Sequence, residues 1–191
     1  MVKISDEVFK SIQTKIDLLK DFDQIRNIDL AGRRIINAFN NRNKILIAGN
    51  GGSAADAQHF ATELVGKFAA KRKGLPAIAL TTNSSNLTAI PNDFGGDELF
   101  KRQLESLAKP GDVFFGISTS GNSENLIKAL EWGRSNNLIS IGLLGKGGGK
   151  MKDYSDISII VPSDNTQNIQ ESHIMIIHIL CQMIDEVFGG I

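Results

Sequence analysis

The spacing of apolar positions changes near residue 40. Before it, Val8, Phe9, Ile12, Ile16 and Leu19 recur at helical intervals, and Ser5 stands where an N-cap belongs. A second helical stretch, residues 28–39, carries Leu30, Ile35, Ile36 and Phe39. Beyond it the apolar residues gather into short runs at 44–48, 77–80, 113–117, 139–144 and 157–161, separated by helical stretches. Runs that are apolar on both faces predict a parallel sheet covered on both sides. A last helix is expected over 168–187. The predicted fold is therefore a three-layer α/β/α sandwich around a parallel sheet of about five strands, preceded by N-terminal helices. No repeat, low-complexity segment or linker divides residues 1–191, so one domain is expected. The N-terminal pair has no place in a minimal sandwich. Its apolar stripe calls for cover, and a second copy of the chain is the favoured source.

Composition narrows the setting. Lys+Arg and Asp+Glu both number 21, and zero formal charge gives no sign of a nucleic-acid or acidic-membrane partner. The single cysteine, Cys181, cannot form an intramolecular disulfide, in keeping with a reducing compartment, and its place in an apolar helix reads as packing. The opening MVKISDEVFK has no signal-peptide apolar run, and no stretch nears the roughly 20 apolar residues of a membrane span. A cytoplasmic location is expected.

Candidate chemistry sits at two strand ends. The first strand runs into Gly49-Asn50-Gly51-Gly52-Ser53 before a helix expected from Ala54. Ligands of open α/β sheets bind at such carboxyl ends, and glycines and free N–H groups there favour an anion. A dinucleotide fingerprint would need an acid near the end of the second strand, but that strand ends Leu80-Thr81-Thr82-Asn83. The third strand leads into Ser118-Thr119-Ser120-Gly121-Asn122-Ser123. Ser123 can serve as an N-cap, which accounts for one hydroxyl and not four. Two such loops on one sheet edge indicate a phosphate site. The loop at 145–149 reads as a mobile glycine-rich turn. In the helix after the first loop, His59 and Glu63 are i,i+4 and share a face, within reach of one metal or one proton. The other two histidines, His173 and His178, lie in the apolar last helix, where a structural role is the plainer reading.

GNGGSAADAQHFATEL, NDFG, GISTSGNS and IQESHIMIIH, in that order and spacing, resemble bacterial phosphoheptose isomerases, a branch of the sugar isomerase (SIS) domain family. The resemblance spans nearly the whole chain. It implies a flavodoxin-like SIS fold and interconversion of sedoheptulose 7-phosphate with D-glycero-D-manno-heptose 7-phosphate through an enediolate. That reaction is the first step toward ADP- or GDP-heptose for surface polysaccharide, lipopolysaccharide included. It also implies a homotetramer with sites between subunits and one zinc per subunit. Carried over by position, phosphate contacts fall on Ser53, Ser118, Ser120 and Ser123, with Asn50, Gly51, Gly52 and Thr119 lining the pocket. Asn92 and Asp93 would meet sugar hydroxyls. His59, Glu63, Gln170 and His178 become the zinc ligands, with Gln170 also touching substrate and Glu63 and His178 the acid/base pair.

Gln170 and His178 are eight residues apart, about 12 Å along a helix. They share one metal only if Gln170 lies at a frayed helix start or if neighbouring subunits divide the ligands. Two other readings stand beside the heptose enzyme. One is a non-catalytic SIS binding protein, such as a factor that associates with a replication initiator; the other is a different sugar-phosphate SIS isomerase. Glu63 argues for catalysis.

Overall fold

Side chains alternate across the strands, and the central strands are buried on both faces, so each of these feeds two cores. In the computed structural model, which describes residues 2–189, the elements are α1 Ile4–Lys20, α2 Phe22–Asn40, β1 Ile45–Gly49, α3 Gly52–Val65, β2 Ala77–Ala79, α4 Ser84–Phe94, α5 Leu99–Leu107, β3 Val113–Ser118, α6 Glu124–Ser135, β4 Ile139–Leu144, β5 Ile157–Ile160 and α7 Thr166–Phe188. All strand pairs are parallel, in the order β2-β1-β3-β4-β5. Ile45 and Ile47 of β1, Phe115 of β3 and Ile141 of β4 pack under Ile35 of α2, Phe60 of α3 and Ile177 of α7. Leu46, Phe114 and Leu144, one residue out of phase, pack under Phe100 of α5 and Leu126 and Leu130 of α6. Phe60 meets Phe115 edge to face with centroids 5.3 Å apart, a geometry worth about 0.5–1.5 kcal/mol beyond the area it buries.

The strand order reverses direction between β1 and β3. Connections leave these two neighbours toward opposite sides, which opens a crevice at their carboxyl ends. The two Gly/Ser loops are the segments that follow β1 and β3, so both border that crevice.

Several local expectations change. The first helix is capped at Lys3 with no side-chain bond, and Ser5 lies inside it. The second begins at Phe22, where Asp21 accepts from the Gln24 N–H, because this cap lies ahead of the apolar repeat at residue 28. The 145–149 segment is no open turn. A short 3₁₀ segment in it, Lys146–Gly148, and a second just after it, Lys150–Asp153, pack on the hydroxyl loop, with Gly148 buried and the Met151 N–H donating to the Gly121 carbonyl at 2.9 Å. Gly121 and Gly149 both have positive φ, and a Cβ on Gly149 would stand 2.5 Å from the Gly121 carbonyl oxygen, so only glycine permits this approach. The apolar stripe of α1 stays uncovered, with Val8 and Phe9 54% and 65% exposed.

Candidate active site

Helices α3 and α7 lie side by side and run in the same direction. At their starts the Gln170 amide lies against Gly52, where an added Cβ would collide with its nitrogen. Two turns on, His178 Nε2 stands 3.5 Å from His59 Nε2, with ring centroids 5.2 Å apart. His59 Nε2 is in turn 3.0 Å from Glu63 Oε1. His59, Glu63 and His178 thus form one half-buried group, so His178 stands beside the His59–Glu63 pair rather than alone in the core. Phe68, from the segment after α3, covers the His178 ring at 5.7 Å. Asp56, one turn before His59, has a buried Oδ2 with no hydrogen-bond partner. Burial pushes its carboxyl up to about 6, with the His59 charge opposing.

At the crevice, Gly51 holds φ +56° with open space around its Cα, and no side chain caps the first turn of α3. Ser53 and Ser118 are buried at the loop bases. Ser118 Oγ lies 3.0 Å from Ser123 Oγ and 3.4 Å from Ser120 Oγ. Ser118 also accepts from the Gly121 N–H, and Ser120 from the Asn122 N–H. Ser123 occupies the N-cap position of α6 and makes no capping bond. Its hydroxyl belongs to the serine cluster, so the capping explanation fails. Thr119 stands in the same loop, where its carbonyl backs against Gly145.

The model match, to the SIS domain, covers residues 10–145. The chain is 50% identical over 186 residues to the phosphoheptose isomerase of Trichlorobacter lovleyi, covering 96% of this chain and 95% of that one. It is 51% identical to the phosphoheptose isomerase of Aneurinibacillus thermoaerophilus, over 96% and 92% of the two chains. The solved phosphoheptose isomerase of Neisseria gonorrhoeae superposes with a TM-score of 0.90 at 41% identity, covering 96% and 97%. The chain belongs to the phosphoheptose isomerase family of SIS domains.

For a phosphoheptose isomerase, two placements bear on the expected site. Gln170 lies in the second turn of a continuous α7 that Asn165 caps, so the frayed-start explanation for a shared metal is excluded. Within one chain its amide faces Gly52, apart from the His59 group. Asn92 and Asp93 end α4, exposed, and bond to each other at 2.7 Å and to neither loop. Sequence reasoning also missed members of the crevice. Asn125 exchanges two 3.0 Å hydrogen bonds with Asn50, tying the first turn of α6 to the first loop. Together with Asp97, Gly96, Ser123 and Glu124 they line a cleft of about 350 Å³. Asn125 follows SGNSE directly, but its helical face is set only by packing.

Among the described residues no complete cluster of three His, Cys, Asp or Glu metal donors is formed. Two edges of one are. Donors about 2.0–2.1 Å from a tetrahedral zinc stand roughly 3.3 Å apart, close to the 3.0 Å and 3.5 Å separations of His59 from Glu63 and His178. Two imidazoles and a carboxylate are also the donor types zinc takes. By donor type these three residues suit zinc, although the described residues do not bring all three together into a complete metal cluster.

Proposed function

We propose that the chain interconverts sedoheptulose 7-phosphate and D-glycero-D-manno-heptose 7-phosphate, feeding nucleotide-activated heptose for surface polysaccharide. The observation that carries this is the pairing of an uncapped serine cluster at the crevice with an adjoining Glu–His–His group on α3 and α7. His59 follows Ser53 by six residues, about 9 Å along α3, a length on the order of an extended heptose chain. The phosphate is held at Ser53, Ser118, Ser120 and Ser123 by hydroxyl donors and by the uncapped start of α3. Asn50, Gly51, Gly52 and Thr119 shape the pocket, and Asn92, Asp93 and Gln170 meet the sugar.

Glu63 carboxylate takes the proton from carbon 1 of the ketose, and the carbonyl becomes an enediolate. The proton returns at carbon 2, and His178 passes the hydroxyl proton between the two oxygens. His59, a hydrogen-bond partner of Glu63 and a neighbour of His178, orients both. Zinc would be held by His59, Glu63 and His178, with Gln170 of a second copy of the chain as a fourth donor, and would supply positive charge beside the developing oxyanion.

The exposed Val8, Phe9, Ile12 and Phe22 support a homotetramer in which the N-terminal helices are covered by other copies. No described helix is long and apolar enough to cross a membrane. The lone thiol of Cys181, kept reduced, supports a cytoplasmic setting.

The test is NMR of sedoheptulose 7-phosphate in heavy water with the protein and added zinc, run beside Glu63→Gln. The expected result is aldose carrying deuterium at carbon 2, with turnover in the variant reduced about 10²–10⁴-fold. An inert mixture with wild-type protein would leave only a ligand-holding domain. Normal turnover in the variant would remove Glu63 as the base.

A further inference from the structure

Arg72 lies in the segment between α3 and β2, in a stretch to which no motif assigns a role. Its side chain is 1% exposed, and that of its partner Asp185, near the end of α7, is 3% exposed. Nε donates to Asp185 Oδ1 at 2.7 Å. Nη1 donates to the Leu64 carbonyl at 2.7 Å and Nη2 to the Glu63 carbonyl at 2.8 Å. Asp185 Oδ2 accepts from the N–H groups of Ala69 and Ala70 at 2.9 and 2.8 Å. Burial raises the Asp185 carboxyl, but the bonds from Ala70, Arg72 and Ala69 outweigh it and leave its pKa below the usual carboxylate value. Arg72 thus caps the last turn of α3, whose carbonyls have no partner within the helix and favour a cation.

The two ends of this pair sit on the two helices that carry the proposed chemistry. One end grips the backbone of Glu63 itself. The other stands seven residues after His178, two turns along the same face of α7. We propose that Arg72 and Asp185 are positioning residues, a buried clamp that holds α3 against α7 and so sets the separation of Glu63 from His178. The inference rests on the reading of those two residues as the proton-transfer pair. A buried ion pair adds little stability over well-packed apolar residues of similar volume. What a guanidinium fork supplies that an apolar pair does not is fixed geometry, here three donors bridging two helices.

The test compares Arg72→Met/Asp185→Leu, Arg72→Lys and Glu63→Gln with wild type in zinc-supplemented protein, reading kcat, KM and melting temperature. The double variant leaves no charge unpaired but removes the partners of the Ala69 and Ala70 N–H groups and of the Glu63 carbonyl, so it should melt a few degrees below wild type, and its rates are read well below that temperature. Its KM should stay within about twofold, since the serine loops lie at the other end of α3, while kcat falls about 10- to 100-fold, the sensitivity expected of sub-ångström misplacement. Arg72→Lys keeps the charge but cannot reach all three acceptors, and should show a smaller fall in kcat, again at constant KM. Wild-type kcat in either clamp variant, beside an inactive Glu63→Gln, overturns the clamp alone. Wild-type turnover in Glu63→Gln overturns the site reading beneath it. A parallel loss of kcat, KM and melting temperature in Arg72→Lys would show a merely structural pair and also refute the proposal.

Discussion

Gly149→Ala is the sharpest probe of the phosphate grip. Gly149 holds φ +53°, and a methyl there would stand 2.5 Å from the Gly121 carbonyl oxygen and 2.6 Å from that of Ser120. Two effects add. The Gly149 backbone, at φ +53° and ψ −151°, lies in a region essentially confined to glycine and costs an alanine about 1–3 kcal/mol. Ordinary contact with a carbonyl oxygen needs about 3.4 Å, so the two segments must separate by roughly 0.9 Å. The segment that yields is the loop presenting Ser118, Ser120 and Ser123. A shift of that size carries a hydroxyl-to-phosphate bond out of its useful range of about 2.5–3.0 Å. Hydrogen bonds to a charged group are worth about 1.5–3 kcal/mol, so losing one raises KM about 10- to 100-fold. Gly147→Ala is the matched control, because Gly147 has φ +73° and nothing within 4 Å of its added Cβ. Initial rates with the sugar phosphate and thermal melts of both variants decide the matter. Both should lose stability from backbone strain, and only Gly149→Ala should raise KM. Equal KM values in the two variants would refute the claim that this glycine strip positions the hydroxyls.

Two further outcomes are expected. Burial pushes the His173 imidazole down to about 4, against a bond to the Leu144 carbonyl. The unfolded chain therefore takes up a proton near 6.5 that the folded chain refuses, and about 3 kcal/mol of stability is lost as pH falls from 6.5 toward 4. The Asp56 carboxyl, raised to about 6 by burial, acts with the opposite sign, gaining stability as pH falls below 6. The two effects largely cancel in wild type, so urea titrations of His173→Gln should show stability rising relative to wild type as pH falls from 6.5 to 4, by up to about 3 kcal/mol, and a difference between the two proteins that does not change with pH would contradict the assignment. Chelation should remove turnover and added zinc restore it, while His59→Gln should bind less zinc at equilibrium; metal analysis showing equal occupancy would remove His59 from the ligand set.

The three central strands were legible because each is a short run buried on both faces, and runs of that kind have few alternatives; the edge strands β2 and β5 were legible as apolar runs although one face of each is partly open. Their ends shifted by a residue or so, as at β2, which stops at Ala79. The two Gly/Ser loops were legible because glycines and hydroxyls between a strand and a helix leave a local signature. His59 and Glu63 were legible as a pair because helical spacing alone puts them on one face. His178 was not, since a histidine in an apolar helix looks the same whether it is core or catalyst. Asn125, Phe68 and Arg72 left no readable signal, because each matters through a partner in another element.

By itself, then, the chain's sequence determined which residues are helical, which are extended and which loops can meet an anion, all of which depend on neighbours within a few positions. Only the tertiary structure decided that β1 and β3 are adjacent at the reversal of strand order, and that α3 and α7 run together so that residues 59 and 178 touch. It alone freed Ser123 from capping and laid the 145–149 glycines on the hydroxyl loop. Periodicity reports that a face is buried, not what buries it. The partner is chosen by packing and hydrogen bonding between segments far apart in the chain, and it is that choice which turns two loops and two helices into a site.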